Sequence, residues 1–176
     1  MYQELQRKVT EERPSYSQEE IHWLLKHLGD PSPEIRDDLV FISLARGIQE
    51  ELFTEKQFHF IAEEILSDGG LEKEIHKIGL PTLERSFRAL IYANILSADG
   101  NEQSLFYKGL NTDIRNIMLD QGLYYLKKEK DTTQSGNAFA TFRLRPSRRR
   151  RCAPVRTTCY QPPRFPPIPN LHPTVI

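Results

Sequence analysis

From Met1 to Asp131 apolar residues recur at intervals of three and four, with almost no two-residue alternation, so this stretch can bury its apolar surface only as a succession of amphipathic helices. No segment reads as a strand. The punctuation agrees with the period. Ser17 with Glu20, and Thr54 with Gln57, have the spacing of capping boxes, in which the first side chain takes the N3 amide and the second reaches back to the cap amide. The expected helices run from about Tyr2 to Glu12, from Ser17 to Gly29, from Ser32 through Ile48, and from Thr54 to Gly69-Gly70, with a short piece from Leu71 to Ile78. After Pro81, with Thr82 as cap, a further helix runs to about Ala98, Asp99-Gly100-Asn101 reads as a turn, and a last helix covers roughly Thr112 to Glu129.

The expected core follows from the same spacing. Ile21, Leu24, Leu25 and Leu28 share one helix face, and Ile35, Leu39, Ile42, Ala45 and Ile48 another. Phe58, Ile61, Ile65 and Leu66, then Leu83, Phe87, Leu90, Ile91 and Ile95, continue the pattern, and Ile114, Ile117, Met118, Leu123 and Tyr124 are available on the last helix. Six or seven such helices predict an all-α domain of antiparallel helix pairs, roughly 65% helix or more, built as a HEAT-like right-handed stack or as an irregular helical domain.

Charge divides the chain at the same place as pattern. The 176 residues carry 24 basic and 24 acidic side chains, but the two signs are segregated. Residues 1–131 hold 16 basic against all 24 acidic side chains, a net −8, whereas residues 132–176 hold eight Arg, no Lys and no acid, a net +8. The domain expectation is therefore a helical body over 1–131 and an Arg- and Pro-rich, disordered tail over 132–176. No apolar run approaches the length of a membrane span, and Glu4, Arg7 and Lys8 stand where an export signal would need an apolar core, so the cytoplasm is the expected compartment. The only cysteines, Cys152 and Cys159, lie in the tail, too few for a disulfide framework or a four-thiolate zinc site.

One turn is more specific than the rest. Trp23 to Leu44 contains Leu28-Gly-Asp-Pro-Ser-Pro-Glu-Ile-Arg-Asp-Asp-Leu39, which resembles the turn of a HEAT repeat: helix, Gly-Asp-Pro reversal, and a helix opened by Pro33 with Arg36 and Asp37 in its first turns. Gly29 is expected in the left-handed conformation, with Asp30 and Ser32 accepting from free amides. A weaker echo, Leu66-Ser-Asp-Gly69 followed by Glu72 and Ile75, comes about 38 residues later, against the roughly 40 to 47 of HEAT units. That turn, together with Leu44-Ala-Arg46 and Arg85-Ser-Phe-Arg-Ala-Leu-Ile91, resembles an uncharacterised bacterial family, domain of unknown function 2785, over roughly Ile21 to Asp131. The resemblance implies a helical, repeat-like protein of the bacterial cytoplasm. Family members continue into a segment with Trp, two His and an Asp, where this chain reads Thr132-Thr-Gln-Ser-Gly-Asn137 instead.

The residues singled out for chemistry are few. Glu19 and His22 have the spacing of a di-iron half-site, but no second Glu-x-x-His exists, and His59 with Glu63, or Glu72 with His76, read as helical charge pairs. No serine elbow, phosphate-cradling loop or Cys/His arrangement occurs, so neither a catalytic residue, a metal nor a cofactor is assigned. Arg36, Asp37 and Arg85 are the candidate binding residues of the body, against a structural role as a ladder holding neighbouring helices in register. In the tail, Arg148, Arg149, Arg150 and Arg151 would contact nucleic acid or an anionic surface if the tail is functional, and Pro166-x-x-Pro169 is a weaker proline-rich motif.

Three functional readings remain. The first is a helical-repeat module binding an unknown protein or peptide without catalysis. The second is a small metal-dependent or hydrolytic enzyme whose site segment is missing here, and the third is nucleic-acid or anionic-surface binding through the basic tail. The tail also admits translation out of frame beyond about Asp131, which would account for the joint loss of acids, Lys and the family segment. On that reading the last helix of the body has lost its packing partners and should leave an apolar face exposed.

Overall fold

A computed structural model describes residues 1–129 of the 176. It is 71% helical, with no strand among the described residues. The elements are α1 (Tyr2–Thr10), α2 (Gln18–Lys26), α3 (Pro33–Ile35), a π-helical segment (Arg36–Phe41), α4 (Ile42–Gln49), α5 (Glu55–Leu66), a 3-10 segment (Ser67–Glu72), α6 (Leu80–Gly100) and α7 (Thr112–Lys128). None of the described helices is long and apolar enough to cross a membrane.

Both capping boxes form. Ser17 accepts from the Glu20 amide while the Glu20 carboxylate accepts from the Ser17 amide, and Thr54 with Gln57 does the same. Glu20 is thereby fixed where it also meets Lys8 of α1 at 2.7 Å, an ion pair largely screened from water. Arg46 on α4 makes the second tie to α1, donating to the carbonyls of Val9, Glu11 and Glu12 just where that helix leaves its last carbonyls without partners.

The turn motif departs from expectation in three details. The Gly29 backbone is not left-handed; the residue is small because Glu84 of α6 crosses it, and an added Cβ would lie 2.8 Å from the Glu84 Cβ. Ser32 does not cap with its side chain, its hydroxyl donating instead to Glu34, and the Ser32 amide is held by Asp30. The following helix contains a full π turn, which advances the residues that follow relative to a regular helix. The predicted stripe is rotated accordingly. Leu39, Val40, Phe41, Leu44 and Ile48 are buried, while Ile35 and Ile42, expected on the facing stripe, stand half-buried at its edge. The α4 helix contacts α1, α2 and α6, so almost its whole circumference is covered.

Two further boundaries shift. Pro81 lies in the first turn of α6, which is capped by Gly79, and Thr82 is not the cap but a fully buried residue inside the helix. The same helix continues through Asp99 and Gly100, so the turn begins at Asn101. A third boundary shifts as well: α5 stops at Leu66 with Ser67 as its C-cap, short of the expected Gly69-Gly70, and both glycines sit with positive φ inside the 3-10 segment that follows. Gly70 has no room for a side chain, since a Cβ there would come within 2.3 Å of the Gln121 Oε1 and 2.5 Å of the Tyr92 hydroxyl.

Leu39 is 2% exposed at the centre of this packing. Leu39→Ala is expected to lower unfolding free energy by about 2 to 5 kcal/mol in urea denaturation. A midpoint and slope equal to wild type would refute the packing.

Candidate functional site

The named body residues occupy two places in the fold. Arg36 opens the π segment. Its Nε donates to Asp37 at 2.7 Å, its Nη1 to the Asp30 carbonyl at 3.0 Å, and its guanidinium lies over the Phe87 ring at 5.2 Å from the centroid. Asp37 is thus the partner of Arg36, and together they clamp the turn to α6 rather than project from it. Arg85 is 1% exposed, on the opposite side of α6. It donates to the carbonyls of Glu74 at 2.8 Å and Lys77 at 2.9 Å, more distantly to Lys73, and to the Glu129 carboxylate at 2.8 Å. Its planar fork spans two chain segments at once, which a lysine cannot do. The structure does not bring Arg36 and Arg85 into one site. Arg148 to Arg151 lie outside the described residues, as do Pro166 and Pro169 and the whole question of the tail's reading frame and disorder.

No group of three or more His, Cys, Asp and Glu side chains is gathered for a metal among the described residues. His22 lies 3.8 Å from Glu64 of α5. An open recess of about 580 Å³ between α1 and the start of α2 is lined by Met1, Glu4, Lys8, Ser15, Glu19 and Glu20, but its buried charges, Lys8 and Glu20, already satisfy one another. The buried hydroxyls of Tyr16 and Ser43 face each other without close hydrogen-bond geometry. Burial pushes the Tyr16 phenol up.

The last helix is seated by polar contacts at three heights. At its start Asp99, 3% exposed, accepts from Arg115 at 2.6 and 3.0 Å and from the Leu110 amide at 2.8 Å. In the middle the Gln121 side-chain oxygen accepts from the Tyr92 hydroxyl at 2.8 Å and from the Leu71 amide at 3.2 Å. Toward its end Tyr125 packs with its hydroxyl 3.2 Å from that of Ser86, and Glu129 meets Arg85. These contacts fix which face of α7 points inward: Met118 and Tyr125 are buried and Ile114 is half-buried, with Gln121 between them.

The opposite face is apolar as well. Leu119, Leu123 and Leu126 are 45%, 55% and 77% exposed, and their spacing of four and three places them on one stripe. Ile117, 46% exposed, flanks the inner face. Ile117 and Leu123 belong to the core that the sequence spacing predicts, and Leu119 and Leu126 do not, yet all four are exposed. The signal that could have found the stripe is excess: α7 has apolar residues on too many sides for a single buried face. Exposed leucines in a row on a packed helix mark a surface that another element can cover. Comparison with known protein families, with curated proteins and with solved structures gives no match for the chain.

The Asp99 carboxyl provides a pH test of the α6–α7 connection. Burial alone would raise it, but the hydrogen bonds from Arg115 and the Leu110 amide, with the Arg115 charge, hold it below the ordinary carboxylate range. A lowered folded value means that its stabilisation is complete above the unfolded pKa of about 4 and is lost as pH falls through the folded value. Asp99→Asn should therefore destabilise the protein by about 1 to 3 kcal/mol at pH 7, with its gap from wild type narrowing as pH falls below the unfolded carboxylate pKa of about 4, read by denaturation across pH. An unchanged gap from pH 7 to pH 2 would contradict the pairing.

Proposed function

We propose that the chain is a helical module of HEAT-like character that binds a protein or peptide in the cytoplasm and performs no catalysis of its own. The observation that carries this reading is the leucine stripe of α7, held outward on a helix whose inner face is locked by Asp99, Gln121 and Arg85. Its backbone is pre-positioned, so an incoming helix or strap would lose little of its binding energy to ordering the receptor. The charged residues Arg36, Asp37 and Arg85 serve this reading indirectly, by holding the helices that present the stripe. The resemblance of Leu28 to Leu39 to a HEAT turn supports the same class, because stacked helix pairs leave the outer face of a terminal helix for a neighbour to cover.

Selection of a random peptide library on the immobilised full-length chain tests this. It is expected to yield peptides with apolar residues at helical spacing whose binding weakens by at least about tenfold in Leu123→Glu. A selection that yields no binders, or binders indifferent to Leu123→Glu, would refute the reading.

A further inference from the structure

We infer that the occupant of the α7 stripe is a second copy of the same helix, packed antiparallel across a two-fold axis near Leu123. The inference rests on the binding role just proposed for that face and names its partner.

The argument begins with the order of residues along α7. Leu119, Leu123 and Leu126 span about 10 Å of helix. With the axis near Leu123, Leu119 of one copy stands opposite Leu126 of the other, twice, and the two Leu123 side chains meet at the centre. A two-fold interface requires one patch to complement itself, and this stripe does so without a gap. Gly122, beside the stripe and with open space around its Cα, lets the two backbones approach at the centre.

Charge sets the direction. Asp120 and Lys127 are both exposed and lie seven residues apart, on the same flank of the stripe. In an antiparallel pair like flanks face each other. The register that brings Leu119 against Leu126 also brings Asp120 of each copy beside Lys127 of the other. A parallel pair would instead set this flank against the partner's other flank, on the Gly122 side, so that Asp120 and Lys127 would not meet. The helix as a whole has the same polarity, with Asp113 in its first turn and Lys127 and Lys128 in its last. In the register centred on Leu123 the unlike pairs formed are Asp120 with Lys127, twice.

Area sets the strength. With the axis near Leu123 the two helices overlap over residues 118–128, and the pair buries on the order of 1,000 Å² or less in total, the low end for specific association. So small an interface makes the dimer a reversible, concentration-dependent one.

Sedimentation velocity of the full-length chain from about 1 to 200 µM tests the pairing. Wild type is expected to pass from monomer to dimer, and Leu123→Glu to remain monomeric with an unchanged helical circular dichroism spectrum. The charge pair gives a control that leaves the leucines intact. Asp120→Lys places Lys against Lys in its own dimer, and Lys127→Asp places Asp against Asp, so each should dimerise at least about tenfold more weakly alone. An equimolar mixture restores both unlike pairs and should dimerise as wild type does. A wild type that stays monomeric or forms only larger aggregates overturns the inference. So does a dimer indifferent to Leu123→Glu, or a mixture no stronger than its two components. A monomeric wild type that still selects Leu123-dependent peptides overturns self-pairing alone; one that does neither overturns the binding role with it.

Discussion

The seating of the C-terminal part of the described fold depends on the guanidinium of Arg85. Between α5 and α6 the chain runs through a 3-10 turn and a connection containing five backbone positions of positive φ, Asp68, Gly69, Gly70, Glu74 and Gly79. Such a segment has no helix ladder of its own to satisfy its carbonyls. Arg85, buried on α6, supplies donors to Lys73, Glu74 and Lys77 and turns its remaining edge to Glu129 at the end of α7. A buried charge is tolerated only when its partners are complete, and completeness here requires the connection and the helix to be in place together. One side chain thus makes the position of α7 conditional on the fold of the segment beneath it.

The N-terminal part is organised differently, around a helix rather than a charge. From Pro33 to Gln49 the chain is continuously helical with a π turn inserted over Arg36–Phe41. The extra residue swings Leu39, Val40 and Phe41 into the core together, and α4 then packs on three neighbours. Arg36 sits at the first position of the insertion, bracing the turn before it through the Asp30 carbonyl and α6 through the Phe87 ring. Arg36 and Arg85, named as candidate binding residues, each make contacts that brace one half of the described fold.

Local chemistry was legible in the sequence wherever it depended on neighbours in the chain. Ser17 with Glu20 and Thr54 with Gln57 determine their own helix starts, since the partners lie three residues apart. The all-helical class followed from period alone. What the pattern could not carry was any outcome decided by a distant residue. The sequence pattern makes Gly29 a turn glycine, yet Glu84 crossing from α6 is what forbids a side chain there. Thr82 resembled a cap because Pro81 precedes it, but Arg85 and the Lys77 carbonyl draw its hydroxyl inward. Ile117 and Leu123 looked like core because they are apolar; the sequence does not say which of several apolar faces Asp99, Gln121 and Glu129 will turn inward. The candidate site was hidden for the same reason, being the face left over after three polar contacts had oriented the helix.

The central claim, that Arg85 couples the connection to α7, is tested most directly by hydrogen exchange on the full-length chain carrying Arg85→Lys. A lysine keeps the charge but cannot reach two carbonyl groups and a carboxylate from one plane. The account predicts that amides of Ser67–Glu72 and of the last turns of α7 exchange at least about tenfold faster than in wild type, while those of α2 and α4 keep their protection. Equal protection of α7 in the two proteins would contradict it.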